Sequence, residues 1–180
     1  MNVIKTPLEG CLILEPRVFA DERGHFFESF NAKRFDEITG TSTQFLQDNH
    51  SQSKAKVLRG LHYQIEQAQG KLVRVVSGAV WDVAVDLRRS SPTFGQWTSV
   101  ALSADNRRMF WVPAGFAHGF VVTGDHADFL YKTTNYYAPQ HERTIAWDDP
   151  TLAITWPIDD PVVNAKDATG TSFAAAGTYA

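Results

Sequence analysis

Short runs of β-branched and aromatic residues recur along this 180-residue chain, each closed by Gly, Pro, Asp or Asn, and this punctuation restricts the fold most. Such runs read as strands separated by turns. They fall at residues 11–18, 24–29, 43–49, 57–63, 71–77, 79–86, 97–102, 109–112, 118–122, 127–134 and 154–156. So many strands exclude a helical bundle and predict an all-β sandwich or barrel. One helix is predicted over 31–40: Asn31 can cap the free amides, Phe35 and Ile38 share a face, and Gly40 supplies the left-handed stop. It is expected to pack on the outside of the sheets. Ser77-Gly78 reads as a tight hairpin connection, and Pro113-Ala114-Gly115 as a bend feeding Phe116-Ala117-His118-Gly119-Phe120. In 79–86, alternation puts Val80, Asp82, Ala84 and Asp86 on one face, so two acids share it.

Composition narrows the partners. A net charge of -3 gives no general attraction for nucleic acid or anionic lipid, so an anionic ligand must be met by a local cluster. No stretch reaches the ~20 apolar residues that cross a bilayer. The lone Cys11 cannot form an internal disulfide, so nothing demands an oxidising compartment and a cytoplasmic location is expected. From Ala168 onward the residues are small and uncharged. The expectation is one domain over 1–167 and a loosely held tail over 168–180.

Two histidines stand inside strand-like runs. In Val57-Leu58-Arg59-Gly60-Leu61-His62-Tyr63-Gln64, a regular strand would point Arg59 away from His62 and Gln64. Joint use requires a bulge, for which Gly60 is the suitable site. His118 follows the Pro-Gly bend among Phe116, Gly119 and Phe120. Each histidine suits a hydrogen-bonded core position as well as the mouth of a small β-barrel. Cupin barrels commonly bind metal through Gly-x-His-x-His and a later His, but here Gln64 replaces the second His. An amide is a poor transition-metal ligand, so neither metal nor other cofactor is expected.

Lys71 and Tyr131 lie on predicted strands, and Lys166-Asp167 follows the last one. Base, cation and phenol around one cavity suit proton removal beside a carbonyl: imidazole takes the proton, ammonium stabilises the enolate oxygen, and the phenol reprotonates the opposite face. Taken singly, the two residues equally suit a snorkelling lysine and a packed tyrosine. Either Asp82 or Asp167 could fix the imidazole tautomer, and spacing does not choose between them. A diphosphate would find partners among Arg17, Arg23, Arg59 and Lys166, in a chain without a P-loop or Gly-x-Gly-x-x-Gly element.

The motifs also carry a resemblance. Asp21-Glu22-Arg23-Gly24, Glu28-Ser29-Phe30, Gln47-Asp48-Asn49-His50-Ser51, Leu58 to Gln64, Gln69-Gly70-Lys71-Leu72-Val73-Arg74-Val75, Asp82 to Asp86, Pro113 to Phe120 and Tyr131-Lys132 occur in order. Tyr136-Tyr137, Trp147-Asp148-Asp149-Pro150, Ile154-Thr155-Trp156-Pro157 and Lys166-Asp167 follow. From about Leu8 to Asp167 the chain resembles the dTDP-4-dehydrorhamnose 3,5-epimerases. It departs from them at Asp148, where Asn is expected, and in the tail.

The resemblance implies a metal-free, cupin-type double-stranded β-helix, a jelly-roll barrel with short peripheral helices. It implies inversion of C3 and C5 of the 4-keto-6-deoxy-hexose nucleotide dTDP-4-dehydro-6-deoxy-D-glucose, giving dTDP-4-dehydro-L-rhamnose on the way to dTDP-L-rhamnose. On the matching positions His62 is the base, Asp167 its support, Tyr131 the acid and Lys71 the enolate stabiliser at O4. Arg23, Glu28, Gln47, Asn49, Arg59, His118, Glu142 and Lys166 match positions that hold the nucleotide sugar. A homodimer is implied in which an N-terminal strand crosses over, so that Arg23 and Glu28 serve the neighbouring site. The competing readings are a C3-only or C5-only epimerase of a related sugar nucleotide and a non-catalytic nucleotide-sugar-binding cupin.

Overall fold

The computed structural model describes all 180 residues, with eleven strands, two short α-helices and two single-turn 3-10 helices. The strands are β1 (Asn2–Lys5), β2 (Leu12–Glu15), β3 (Val18–Asp21), β4 (Gly24–Phe27), β5 (Gln47–Lys54), β6 (Leu58–Gln64), β7 (Lys71–Asp86), β8 (Trp97–Ser103), β9 (Met109–Val112), β10 (Phe116–Thr133) and β11 (Glu142–Thr144). The helices are α1 (Ala32–Thr39) and α2 (Ala165–Ala168). The all-β jelly-roll barrel expected from the sequence is the observed architecture.

Two long antiparallel strands, β7 and β10, hold it together by serving both layers. The first half of β7 pairs with β9, which leads on to β2 and β1, while the second half of β10 pairs with β5. The second half of β7 pairs with β8, and the first half of β10 pairs with β6 and through it β11. Ser77-Gly78 is therefore not a hairpin turn. Gly78 sits opposite Ala127 with φ +76, where the paired strands bend together from one layer into the other. A side chain there would put its Cβ 1.8 Å from the carbonyl oxygen of His126, so only glycine fits. The same continuity merges the expected strands 118–122 and 127–134 into one.

The bends reset the alternation of side chains. The β7–β10 register slips between Val122 and Ala127 and again between Asp128 and Phe129. Val73 and Val75 at odd positions and Val80 and Ala84 at even ones consequently join the same core, as do Phe120 and Val122 with Ala127 and Phe129. Phe120 and Phe129 stack with their ring centres 4.3 Å apart. Burying each such ring contributes ~1.5–3 kcal/mol.

Helix α1 forms as the sequence predicts. The Asn31 side chain accepts from the Arg34 amide, and Gly40 at φ +69 returns its N–H to the Asp36 carbonyl. Phe35 is buried beside Leu14, Leu72, Met109 and Trp111 on the outside of the first layer. Other expectations are corrected. The run 11–18 is split, because Pro16 has no amide to continue the ladder after Glu15. The strand expected at 43–49 begins at Gln47 and continues to Lys54. Residues 154–156 form no strand; Trp156 instead packs edge-on against Trp81 and donates to the Trp147 carbonyl.

The 168–180 segment is not loosely held. Thr171 bridges to Ile145, the amide of Tyr179 donates to Leu87, and its carbonyl accepts from Arg89. The Tyr63 hydroxyl donates to the Gly177 carbonyl at 2.7 Å, and the Tyr179 hydroxyl donates to the Gln64 carbonyl. Asp149 accepts from the amide of Phe173 at 2.8 Å. Two aromatic rings and backbone pairing thus anchor a segment whose composition suggested little to anchor it. No helix is long and apolar enough to cross a membrane.

Candidate active site

A cavity of about 350 Å³ opens at one end of the barrel, lined from both layers. From the second layer come Arg59 and His62 on β6 and His118 on β10; from the first come Asn49 on β5, Lys71 on β7 and Tyr131 on β10. The bulge required to unite Arg59 with His62 is present. Arg59 faces Phe120 and His62 faces His118, so Gly60 and Leu61 together oppose the single Gly119. Gly60 adopts φ +124, and a Cβ on it would meet the Cα of Gly119 at 2.6 Å. The close crossing of β6 and β10 rests on two glycines.

The structure resolves the choice of orienting acid. His62 Nε2 and Asp167 Oδ1 are 2.6 Å apart, and Asp167 is fully buried. Asp167 is placed by α2, whose N-cap Asn164 accepts from the Asp167 amide, and its other oxygen accepts from the Gly60 amide at 3.3 Å. Burial alone would raise this carboxyl, but the hydrogen bond and charge of His62, the Gly60 amide and Lys166 together bring it below the usual range. Asp167 is held as a carboxylate against one ring nitrogen of His62, the contact by which a carboxylate orients an imidazole. Asp82 pairs instead with His118, Nε2 to Oδ1 at 2.8 Å.

Lys71 lies beside His62, with Nζ 3.4 Å from the His62 carbonyl oxygen. Desolvation lowers its pKa to about 8, against the opposing pull of Glu142 and Asp82. It remains mostly an ammonium at neutral pH. Burial raises Tyr131, which keeps its phenol protonated, with the positive charge of Arg59 acting against the shift. His62 on β6 and Tyr131 on the second half of β10 line the same cavity from different layers.

Most of the other candidates gather at the mouth. Gln47, Asn49, Arg59, His118 and Glu142 line the cavity, and Lys166 reaches it through a 2.6 Å ion pair with Glu142. Arg23 and Glu28 do not join them within one chain. Arg23 sits in the β3–β4 hairpin and pairs with Asp21, while Glu28 bonds the Asn31 amide side chain. Sequence reasoning assigned no role to Tyr137, which lines the mouth and donates to Glu142 at 2.7 Å, nor to Ser51 and Gln69 in the wall. The doublet Tyr136-Tyr137 just before Pro139 was the available signal for Tyr137. Gln64 is structural: its amide bonds the backbone at Gln67, Tyr136 and Ala138. No three His, Cys, Asp or Glu side chains converge as a metal-holding group.

A base with its own carboxylate, a cation beside it and a protonated phenol across from it can shuttle protons at a carbon next to a carbonyl. On a jelly-roll barrel, that chemistry defines the class as a cupin-fold isomerase. The sequence signature described as dTDP-4-dehydrorhamnose 3,5-epimerase matches residues 5–175. Enzymes of that name from Pseudomonas aeruginosa and Shigella flexneri are 57% identical over 180 residues and 58% identical over 174, covering 99% and 96% of both chains. The crystal structure of dTDP-6-deoxy-D-glucose-3,5-epimerase from Legionella pneumophila Philadelphia 1, in complex with dTDP-4-keto-L-rhamnose, superposes with a TM-score of 0.94 at 52% identity, covering 97% of this chain and 93% of that one. The chain belongs to the dTDP-4-dehydrorhamnose 3,5-epimerase family.

Proposed function

We propose that the chain inverts C3 and C5 of dTDP-4-dehydro-6-deoxy-D-glucose, yielding dTDP-4-dehydro-L-rhamnose for rhamnose synthesis, with His62 as general base and Tyr131 as general acid. The observation that carries this reading is the buried His62–Asp167 pair beside Lys71, facing Tyr131 across one cavity. Both carbons flank the C4 ketone. His62 takes the proton from one of them, the C–H electrons pass to O4 as an enolate, and the Lys71 ammonium stabilises that oxygen. The Tyr131 hydroxyl then protonates the same carbon from the opposite side, and solvent restores both groups. After the ring shifts, the same groups serve the second carbon.

Recognition of the sugar nucleotide falls to Arg59, Lys166, His118, Gln47, Asn49 and Glu142, the guanidinium giving a planar match to phosphate oxygens. Arg23 and Glu28 are assigned to the site of a second subunit in a homodimer. Their hairpin stands away from the cavity and exposes Phe19 at 52% and Phe26 at 70%, surface that a second copy would cover. The expected setting is the cytoplasm.

The test is turnover of the 4-keto sugar nucleotide in deuterated water. Solvent deuterium at both C3 and C5 is the expected result. Label at one carbon only would reassign the chain as a mono-epimerase, and no label would leave a binding module. Sedimentation at micromolar concentration is expected to give twice the 20.1 kDa chain mass; a monomer would remove Arg23 and Glu28 from the proposed site.

A further inference from the structure

The His118–Asp82 pair is not used by the proton transfers above, and it is unusual. Asp82 has no exposed surface; Oδ1 is bound to His118, but Oδ2 has no hydrogen-bond partner. An orphaned carboxylate oxygen in a dry interior costs free energy unless a charge nearby compensates it. Asp82 lies opposite Phe120 in the β7–β10 register, and Phe120 and His118 both line the cavity. Lys71, on the same strand as Asp82, lines it too. The bend at Gly78 resets the alternation between them, so both side chains are directed inward from the two halves of β7.

We propose that Asp82 is a positioning residue for Lys71: pinned through one oxygen by His118, it presents the other as a buried counter-charge that keeps Lys71 an ammonium facing the reacting carbonyl. The inference rests on the epimerase reading and adds to it the group that maintains its cation. The charged and titratable groups around Lys71 and its cavity are Asp82 on its own strand, Glu142 on β11, Lys166 on α2, Arg59, His62 and Tyr63 on β6, His118 and Tyr131 on β10, and Tyr137. Glu142 is already committed to Lys166 and Tyr137, both at hydrogen-bond distance, whereas Asp82 has a free oxygen. Burial raises the Asp82 carboxyl, and His118 and then Lys71 act against that rise; Glu142 and then Asp82 in turn favour the ionised form of Lys71.

The experiment is the pH profile of kcat/KM for the full enzyme and for D82N, read as deuterium exchange at C3 and C5. An opposite charge within ~4–6 Å shifts a pKa by ~1–3 units. The alkaline limb, set by loss of the Lys71 proton, is therefore expected to move down by about one pH unit in D82N. The rate at pH 8 then falls roughly fivefold, equally at both carbons, with little change at pH 6. A uniform loss across the profile, or an unmoved limb, would overturn the proposal, since a merely structural residue does not displace a titration. D82S, which avoids burying an amide, is measured in parallel, and melting curves establish which variants fold. One folded variant suffices; loss of fold in both assigns Asp82 to folding and equally overturns the proposal. Absence of exchange by the parent enzyme would instead sink the epimerase reading itself.

Discussion

The two inward-facing imidazoles have different partners, and the partners decide what each can do. His62 is part-exposed and bound to a carboxylate held below its ordinary range, the condition for a base. Replacing it with Asn keeps volume and polarity but removes the proton acceptor. H62N is expected to lose about 10²–10⁴ in kcat, with deuterium exchange lost at both carbons. Tyr131→Phe tests the other step. Exchange by His62 should continue while inversion drops, so the ratio of deuterium incorporated to inverted product rises; an unchanged ratio would reject Tyr131 as the acid. Lys71 sets the alkaline side. With its pKa at about 8, the ammonium is present below that pH and lost above it, so kcat/KM should fall on the alkaline side of pH 8. K71R, whose guanidinium stays charged, should remove that limb. The gathering of His62, Lys71 and Tyr131 at one cavity was legible because their chemistry and motifs coincide, whereas Asp167 rested on the resemblance alone. The pairing of Asp82 with His118 was not, because spacing along the chain says nothing about which acid lies across a sheet.

Strand β6 illustrates how far an element can be read from sequence. Alternation denied Arg59 and His62 a common face, and glycine marked where the rule could break; the register of β6 against β10 places the break there. G60A is expected to destabilise by more than ~2 kcal/mol, seen as a lower denaturation midpoint, because the new methyl meets backbone rather than a yielding side chain. Unaltered stability would mean that the crossing relaxes easily and that the glycine pair is not what sets it. The misread element is the 77–78 turn. A glycine flanked by two apolar runs marks a hairpin and a bent continuous strand alike, and only the partner strand separates them. Here β10 bends alongside, so Gly78 absorbs a corner. The helix α1 was legible at both ends because capping is local chemistry, carried by Asn31 and Gly40.

For the molecule as a whole, the last residues close the fold around its reactive strand. Tyr63 and Gln64, immediately after His62, are tied to Gly177 and Tyr179. Ending the chain at Ala176 removes both ties and the backbone bonds of Tyr179 to Leu87 and Arg89. At ~1 kcal/mol for each net hydrogen bond, the midpoint of thermal unfolding should fall by several degrees. kcat is expected to drop more than KM rises, since the ties support the base rather than the nucleotide. A truncation with wild-type melting and turnover would show the segment to be dispensable. Composition could not foresee this, because anchoring depends on where Phe173 and Tyr179 land rather than on how many such residues there are.

The long strands also limit how this barrel can be recombined. Each wall of the sandwich is half of β7 and half of β10, so neither wall is a contiguous piece of chain. A chimera with another member of the family would splice cleanly in the loops at 87–96 or 104–108. A junction between Lys71 and Asp82 would instead pair one parent's corner with the other parent's partner strand, and the buried lysine would be inherited apart from the acid in the second half of its own strand.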